Sequence, residues 1–161
     1  MIRKGFKEDL PAVLTLIKEL AEYEKEPYEV VVTLQDMEHD GFGENPIFKF
    51  FVAEVDKKIV GMALYFVKYS TWKGKCVYLD DIIVTQPYRR KGIGKLLFEA
   101  VVKATVEMRA RRLEWQVLDW NTPAIEFYKK YDSKFMKAWL SCRLTDEQLN
   151  KFSSQLKLQK N

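Results

Sequence analysis

Two short stretches of this 161-residue sequence hold residues whose types and spacing suit chemistry. The first is Arg89-Arg90-Lys91-Gly92-Ile93-Gly94, which lies between a strand-like run ending at Val84 and a helix beginning near Gly92. N–H groups at a helix start lack partners and carry partial positive charge. Glycines let that backbone approach an anion closely. With three formal charges beside it, the combination fits a diphosphate. The plainer alternative is a solvated basic turn whose glycines serve only geometry. Two other phosphate motifs fail: Gly94-Lys95 is followed by Leu96 without the earlier P-loop spacing, and Leu97 stands where a dinucleotide fingerprint needs its third glycine.

The second stretch is Asp80-Asp81, at the end of the same strand-like run. Carboxylates there can accept a proton or hold a cation. Neighbouring strand residues point to opposite faces, so the two share one job only if a bulge intervenes. The alternative is an exposed, merely solvated acidic pair. Cys76 and Cys142 form no C-x-x-C pair, and His39 is the single histidine, so no metal site is expected. No base stands by to activate either thiol.

These residues need elements to position them. The spacing of Leu14, Ile17, Leu20 and Ala21 predicts a helix over about Lys7 to Glu24, with Pro11 moving its start toward Asp9. Asp40–Pro46 reads as a loop on its glycines and Asn-Pro. Three strands follow, Phe48–Val55, Lys58–Tyr69 and Lys75–Val84, the first two joined by a turn at Asp56-Lys57. A helix over about Gly92 to Arg109 carries Leu96, Leu97, Ala100, Val101, Ala104 and Met108. A strand at Leu113–Leu118 comes next, then a helix with Thr122 as cap and Pro123 first, carrying Ile125, Phe127 and Tyr128. A last strand over Ala138–Leu144 and a polar tail to Asn161 complete the order. The expectation is one α/β (α+β) domain over residues 1–161, with a mixed, mostly antiparallel twisted sheet flanked by helices.

Composition bounds the function. Apolar residues make up 47% and charged residues 31%, which marks a folded chain rather than a disordered one. The net charge of +4 comes from interleaved acids and bases, which argues against a nucleic-acid partner and suits one local anion site. The longest apolar runs fall far short of a membrane span. With no apolar signal core at the start, the chain reads as cytoplasmic.

The R-x-x-G-x-G pattern of Arg89–Gly94 resembles the cofactor motif of the GNAT N-acetyltransferases. Leu16–Glu24, Asp40–Pro46, Val52–Val55, Tyr78–Asp81 and Asp119-Trp120-Asn121 resemble, in order, the spermidine/spermine N-acetyltransferase family. Tyr69–Gly74 and Val117–Asn121 lean to its thialysine N-epsilon-acetyltransferase branch, since the polyamine branch has an aspartate where Ser70 stands. The segment Tyr131–Trp139 departs from the family pattern, with Lys137 near the place of an acidic substrate contact.

The resemblance implies the GNAT fold, a homodimer, acetyl-CoA as cosubstrate without a metal, and a small-molecule amine acceptor. It implies that the backbone of Ile82, Ile83 and Val84 holds the pantetheine arm. The backbone from Arg89 through Arg90, Lys91, Gly92, Ile93 and Gly94 to Lys95 would hold the pyrophosphate, and Asn121 the far arm. Asp80 takes the place of the general base, usually a glutamate; one methylene shorter, it favours a water relay. Tyr128, seven residues after Asn121, matches the general acid; its alternative is a core tyrosine. Candidate substrate contacts are Tyr23, Glu24, Trp72, Asp81, Glu114, Trp115 and Gln116. The acceptor is expected to be a lysine-like or diamine substrate of the thialysine type, taken by direct transfer in a ternary complex. The alternatives are polyamine N1-acetylation, another small amine or a protein N-terminus, and a non-catalytic acyl-CoA-binding module.

Overall fold

The computed structural model describes residues 1–158 and divides the chain into two compact units, Met1–Gln116 and Val117–Asn161.

In the first unit, β1 (Ile2–Lys4), β2 (Lys49–Val55), β3 (Lys58–Ser70) and β4 (Gly74–Val84) pair antiparallel in chain order, and β5 (Leu113–Glu114) joins β4 in parallel. This is the mostly antiparallel sheet expected from the sequence. Helices α1 (Leu10–Tyr23) and α2 (Leu34–Phe42) contribute to one core. There Leu10, Val13, Leu16 and Met37 meet Phe50 and Val52 of β2, Met62 of β3 and Ile83 of β4. Alternation sends Phe51, Ala63 and Tyr65 to the other face, where α3 (Ile93–Glu107) packs with Leu97, Phe98 and Val101 buried. Gly61 lies under α3: a Cβ there would sit 2.8 Å from the Ile83 carbonyl and 3.2 Å from Leu97 Cδ1. A side chain at 61 would collide with the β4 backbone and crowd Leu97 of α3.

Pro11 sits in the first turn of α1, and Asp9 occupies the cap position. The Asp9 carboxylate accepts from the Phe6 N–H and forms a paired bond with Arg3, at 2.7 and 2.8 Å. Arg3 also bonds Glu54, tying β1, the first turn and β2 together.

Helix α2 is a correction, because residues 40–42 of the expected loop belong to it. Thr33 and Asp36 form a reciprocal capping box that starts it. The chain leaves helical geometry only at Gly43. The strand expected to reach Leu118 stops at Glu114, because only Leu113 and Glu114 find ladder partners, Val77 and Tyr78. From Leu79 to Val84, the edge of β4 away from β3 has no ladder partner among the described residues.

The second unit holds α4 (Thr122–Lys129) and α5 (Asp146–Leu158). Asn121, not Thr122, is the cap of α4: its side-chain oxygen accepts from the Ala124 N–H at 3.3 Å. Ala138–Leu144 forms no strand. A strand is defined by the neighbour it bonds, and this segment has no ladder partner among the described residues. Most of the expected polar tail is α5, started by Thr145 and Gln148, whose side chains bond each other's backbone N–H groups. The tail's last residues, 159–161, lie outside the described residues.

Candidate active site

The donor side begins where β4 ends. A 3-10 turn at Gln86–Tyr88 leads into α3, and the chain between them takes a left-handed conformation at Arg90 (φ 60°) and at Gly92 (φ 81°). Successive N–H groups in such turns converge on a concave anion site. The bond from Leu96 N–H to Gly92 O is the first of the helix. The N–H groups of Ile93, Gly94 and Lys95 precede it and have no backbone acceptor among the described residues. A Cβ on Gly92 would meet nothing within 4 Å, so glycine serves the backbone angle there and leaves the approach open. This donor set fits a diphosphate. The edge of β4 at Ile82–Val84, without a ladder partner among the described residues, leads straight to it and offers its backbone groups, the Val84 carbonyl excepted, to an amide-bearing arm.

The three cations do not act alike. Arg89 turns its guanidinium inward: Nε donates to the Val84 carbonyl at 2.7 Å, and the second nitrogen reaches Glu19 at 3.4 Å. Arg90 is exposed, and Lys91 lies over the Tyr88 ring at 5.0 Å. The expected cradle charge therefore rests on Arg90, Lys91 and Lys95.

The acceptor side depends on a defect in the sheet. Leu64 pairs with Asp81, but its neighbour Tyr65 pairs with Leu79, so Asp80 is an extra residue in β4. This is the bulge the sequence required if the two carboxylates were to work together. It puts both on the Leu64 face, and Glu24, just past the end of α1, joins them. Burial, then the charges of Asp80 and Glu24, push the Asp81 carboxyl up to about 7. Asp80 opens to solvent, yet its surroundings are dense enough to raise it as well, and burial also raises Glu24. A cleft of about 390 Å³ opens beside them, lined by Ile47, Phe48, Leu64, Phe66, Val67 and Asp80. Apolar walls with a carboxylate at one point suit an alkylammonium.

Tyr78, which the sequence reading passed over, belongs to this face. Its ring packs on Phe66 at 5.3 Å between centroids. Burial, then Asp80, Glu114 and Asp81, raise its phenol above the ordinary range. The Phe66–Tyr78 cross-strand pair was the signal for it.

Other candidates are placed elsewhere. Trp72 lies at the β3–β4 hairpin tip, 77% exposed. At about 3.3 Å per strand residue the tip is roughly 20 Å from Asp81. Ser70 holds that tip, its hydroxyl accepting from the Trp72 and Lys73 N–H groups. Glu114 is taken up by Lys68 at 2.7 Å and Arg112 at 2.8 Å. Burial pushes its carboxyl up, and the two cations together bring it below the usual range. Trp115 points to the other face and meets Phe98 edge-on at 5.2 Å, while Gln116 is exposed. Tyr23 lies under Arg89, with 5.3 Å from guanidinium to ring centroid.

In the second unit Tyr128 is buried on α4, edge-on to Phe127, and its backbone carbonyl accepts from the Ser133 hydroxyl. Cys76 is buried and Cys142 exposed, both as free thiols.

The model of the acetyltransferase (GNAT) family matches residues 10–132. The chain belongs to the GNAT family of acetyltransferases. It is therefore an N-acetyltransferase, and enzymes of this family draw their acetyl group from acetyl-CoA. Its resemblance to the thialysine branch also holds. This GNAT chain is 35% identical to a thialysine N-epsilon-acetyltransferase of Mus musculus over 94% of its own length and 96% of that protein's. It is 34% identical to a spermidine/spermine N(1)-acetyltransferase-like protein of Homo sapiens, over 92% of its length and 23% of that longer protein. Among solved structures, an integron cassette protein of V. cholerae shares the fold at TM-score 0.78 and 23% identity, covering 95% of this chain and 96% of that one.

Proposed function

We propose that this enzyme acetylates the primary amine of a small lysine-like or diamine substrate of the thialysine type, by direct transfer in a ternary complex. In this reading residues 1–161 form one GNAT domain that works in the cytoplasm as a homodimer. The observation that carries the acceptor side is the bulge at Asp80, which gathers Asp80, Asp81 and Glu24 on one face beside an apolar cleft.

Acetyl-CoA supplies a thioester carbonyl carbon for the amine nitrogen to attack. A free alkylamine has a pKa of about 10.4, so the nitrogen must lose a proton before it can attack. Asp80, open to solvent, takes that proton through a water. Asp81 and Glu24 hold the ammonium form until then, with Tyr23 as a further contact at the end of α1. The new N–C bond forms as the C–S bond breaks, and the leaving thiolate takes the Tyr128 phenolic proton. The turn from Arg89 to Lys95 holds the pyrophosphate, the Ile82–Val84 edge the pantetheine arm, and Asn121 the far arm.

The family match spans both units, which supports one domain. Free thiols support a reducing compartment. Leu149, Phe152 and Leu156 recur at helical spacing on α5 and are all more than half exposed, which supports a dimer. Ser70, where the polyamine branch has an aspartate, and Lys137, near the place of an acidic contact in the family pattern, remove negative charge and support the lysine-like acceptor. A second reading, polyamine acetylation, draws on the three clustered carboxylates, which suit a multiply charged amine.

An amine panel scored by CoA release separates them. Thialysine, lysine and ornithine should exceed spermidine in kcat/KM; the reverse order selects the polyamine reading. CoA release that no amine accelerates would leave only an acyl-CoA-binding role.

A further inference from the structure

We infer that Arg89 is a positioning residue that bolts the cofactor turn to the helix end carrying the amine contacts. The inference rests on the proposed acceptor and donor sites. One guanidinium makes three contacts. It donates to the last carbonyl of β4, at Val84, and it reaches Glu19 of α1. It also covers the ring of Tyr23, the last residue of α1, at 5.3 Å. Glu19 makes the link double, because the same Oε1 accepts the Gln86 N–H at 3.1 Å where the turn begins.

Glu19 and Tyr23 lie four residues apart, on one face of α1. Glu24 follows directly and is close enough to Asp81 to raise its carboxyl. The clamp therefore sets two things at once. It fixes where the turn leaves β4, and thus where the N–H groups of α3 point. It also fixes how the end of α1, held through Tyr23, presents Glu24 to the carboxylate face. A guanidinium serving only as a positive charge for phosphate would face outward, as Arg90 does. Arg89 instead uses its planar fork on partners that a lysine could reach only one at a time.

The consequence is a cross-effect confined to the clamp: loss of an Arg89 contact on α1 should be felt by the cofactor, and loss of the Arg89 side chain by the amine as well. CoA binding is read by calorimetry, and kcat and both KM values by CoA release, in wild type, Tyr23→Leu, Glu19→Gln, Arg89→Lys, Arg89→Ala and Tyr23→Leu/Arg89→Ala. Tyr23→Leu should weaken CoA binding about three-fold, the scale of an exposed cation–π contact. Glu19→Gln keeps the oxygen for Gln86 and loses the charge, and should weaken it about two-fold. Arg89→Ala should weaken CoA about ten-fold and raise the amine KM, and the double variant should fall short of the product of the singles. Arg89→Lys should rescue only part of the loss. A mere drop in folded fraction would lower kcat and leave every Kd and KM unmoved. Full rescue by lysine, with CoA binding unchanged in Tyr23→Leu and Glu19→Gln, overturns the clamp and returns Arg89 to a simple charge. If wild type binds CoA but no amine accelerates its release, the acceptor reading fails, while the CoA affinities of the variants still decide the clamp.

Discussion

The cofactor turn and the carboxylate face answer different problems with different materials. The turn is built from backbone: consecutive N–H groups, two left-handed residues and a helix start, all within Arg89–Lys95. The face is built from side chains, brought together by a helix end, a strand and a register slip. A backbone site should respond to changes in conformation and little to charge. A side-chain site should respond to single atoms and to pH.

The largest effects belong to the reacting groups. Asp80→Asn and Tyr128→Phe should each lower kcat about 100-fold with CoA binding unchanged, the usual range for a lost proton-transfer group. Wild-type turnover and an unaltered pH profile in Tyr128→Phe would return that residue to the core. Gly92→Ala is the matching test of the turn. Its left-handed φ costs about 1–2 kcal/mol with a Cβ, so CoA should bind about ten-fold more weakly at an unchanged amine KM. A larger change in the amine KM than in CoA affinity would show that the two regions are not separable in this way.

Asp81 sharpens the comparison through pH. Its folded pKa is raised to about 7, so it gains a proton as the pH falls through that value and loses its hold on an ammonium. The rate constant kcat/KM should fall on the acid side of about 7, and Asp81→Asn should flatten that limb. Stability moves the other way. Between the ordinary carboxylate range and about 7 the folded state binds the extra proton, so stability falls as pH rises across that window. Asp81→Asn should then stabilise the protein at pH 8 by about 2 kcal/mol, read as a higher urea midpoint.

The smallest effect concerns neither region. Arg3 holds the Asp9 carboxyl below its usual range, so that pair contributes stability above the unfolded carboxylate value and loses it as pH falls through the folded one. Asp9→Asn should cost about 1 kcal/mol at pH 7 and progressively less as the pH falls through the folded carboxyl's lowered range, by urea melts.

Some elements were readable because their signals are local. The stripe Leu14, Ile17, Leu20, Ala21 announces α1, and Gly92 beside three cations announces the turn. The boxes Thr33-x-x-Asp36 and Thr145-x-x-Gln148 are equally local signals, and they mark α2 and α5, neither of which is among the elements expected from apolar periodicity. Ala138–Leu144 has the composition of a strand, but composition does not supply an edge to pair with. In the sequence Arg89 is indistinguishable from the cradle cations beside it, because its partners, Glu19 and Tyr23, lie some 70 residues earlier in the chain.

By itself the sequence determined what depends on near neighbours: the helix stripes, the turn that binds an anion, and the family. It also named both aspartates and stated the condition under which they could act together. Only the tertiary structure decided that the condition is met. A bulge is a mismatch between two strands, so nothing in β4 alone reveals it, and β3 must be laid alongside before Asp80 becomes the extra residue. The raised carboxyl of Asp81 has the same origin, since burial and the approach of Glu24 exist only once α1 is packed on the sheet.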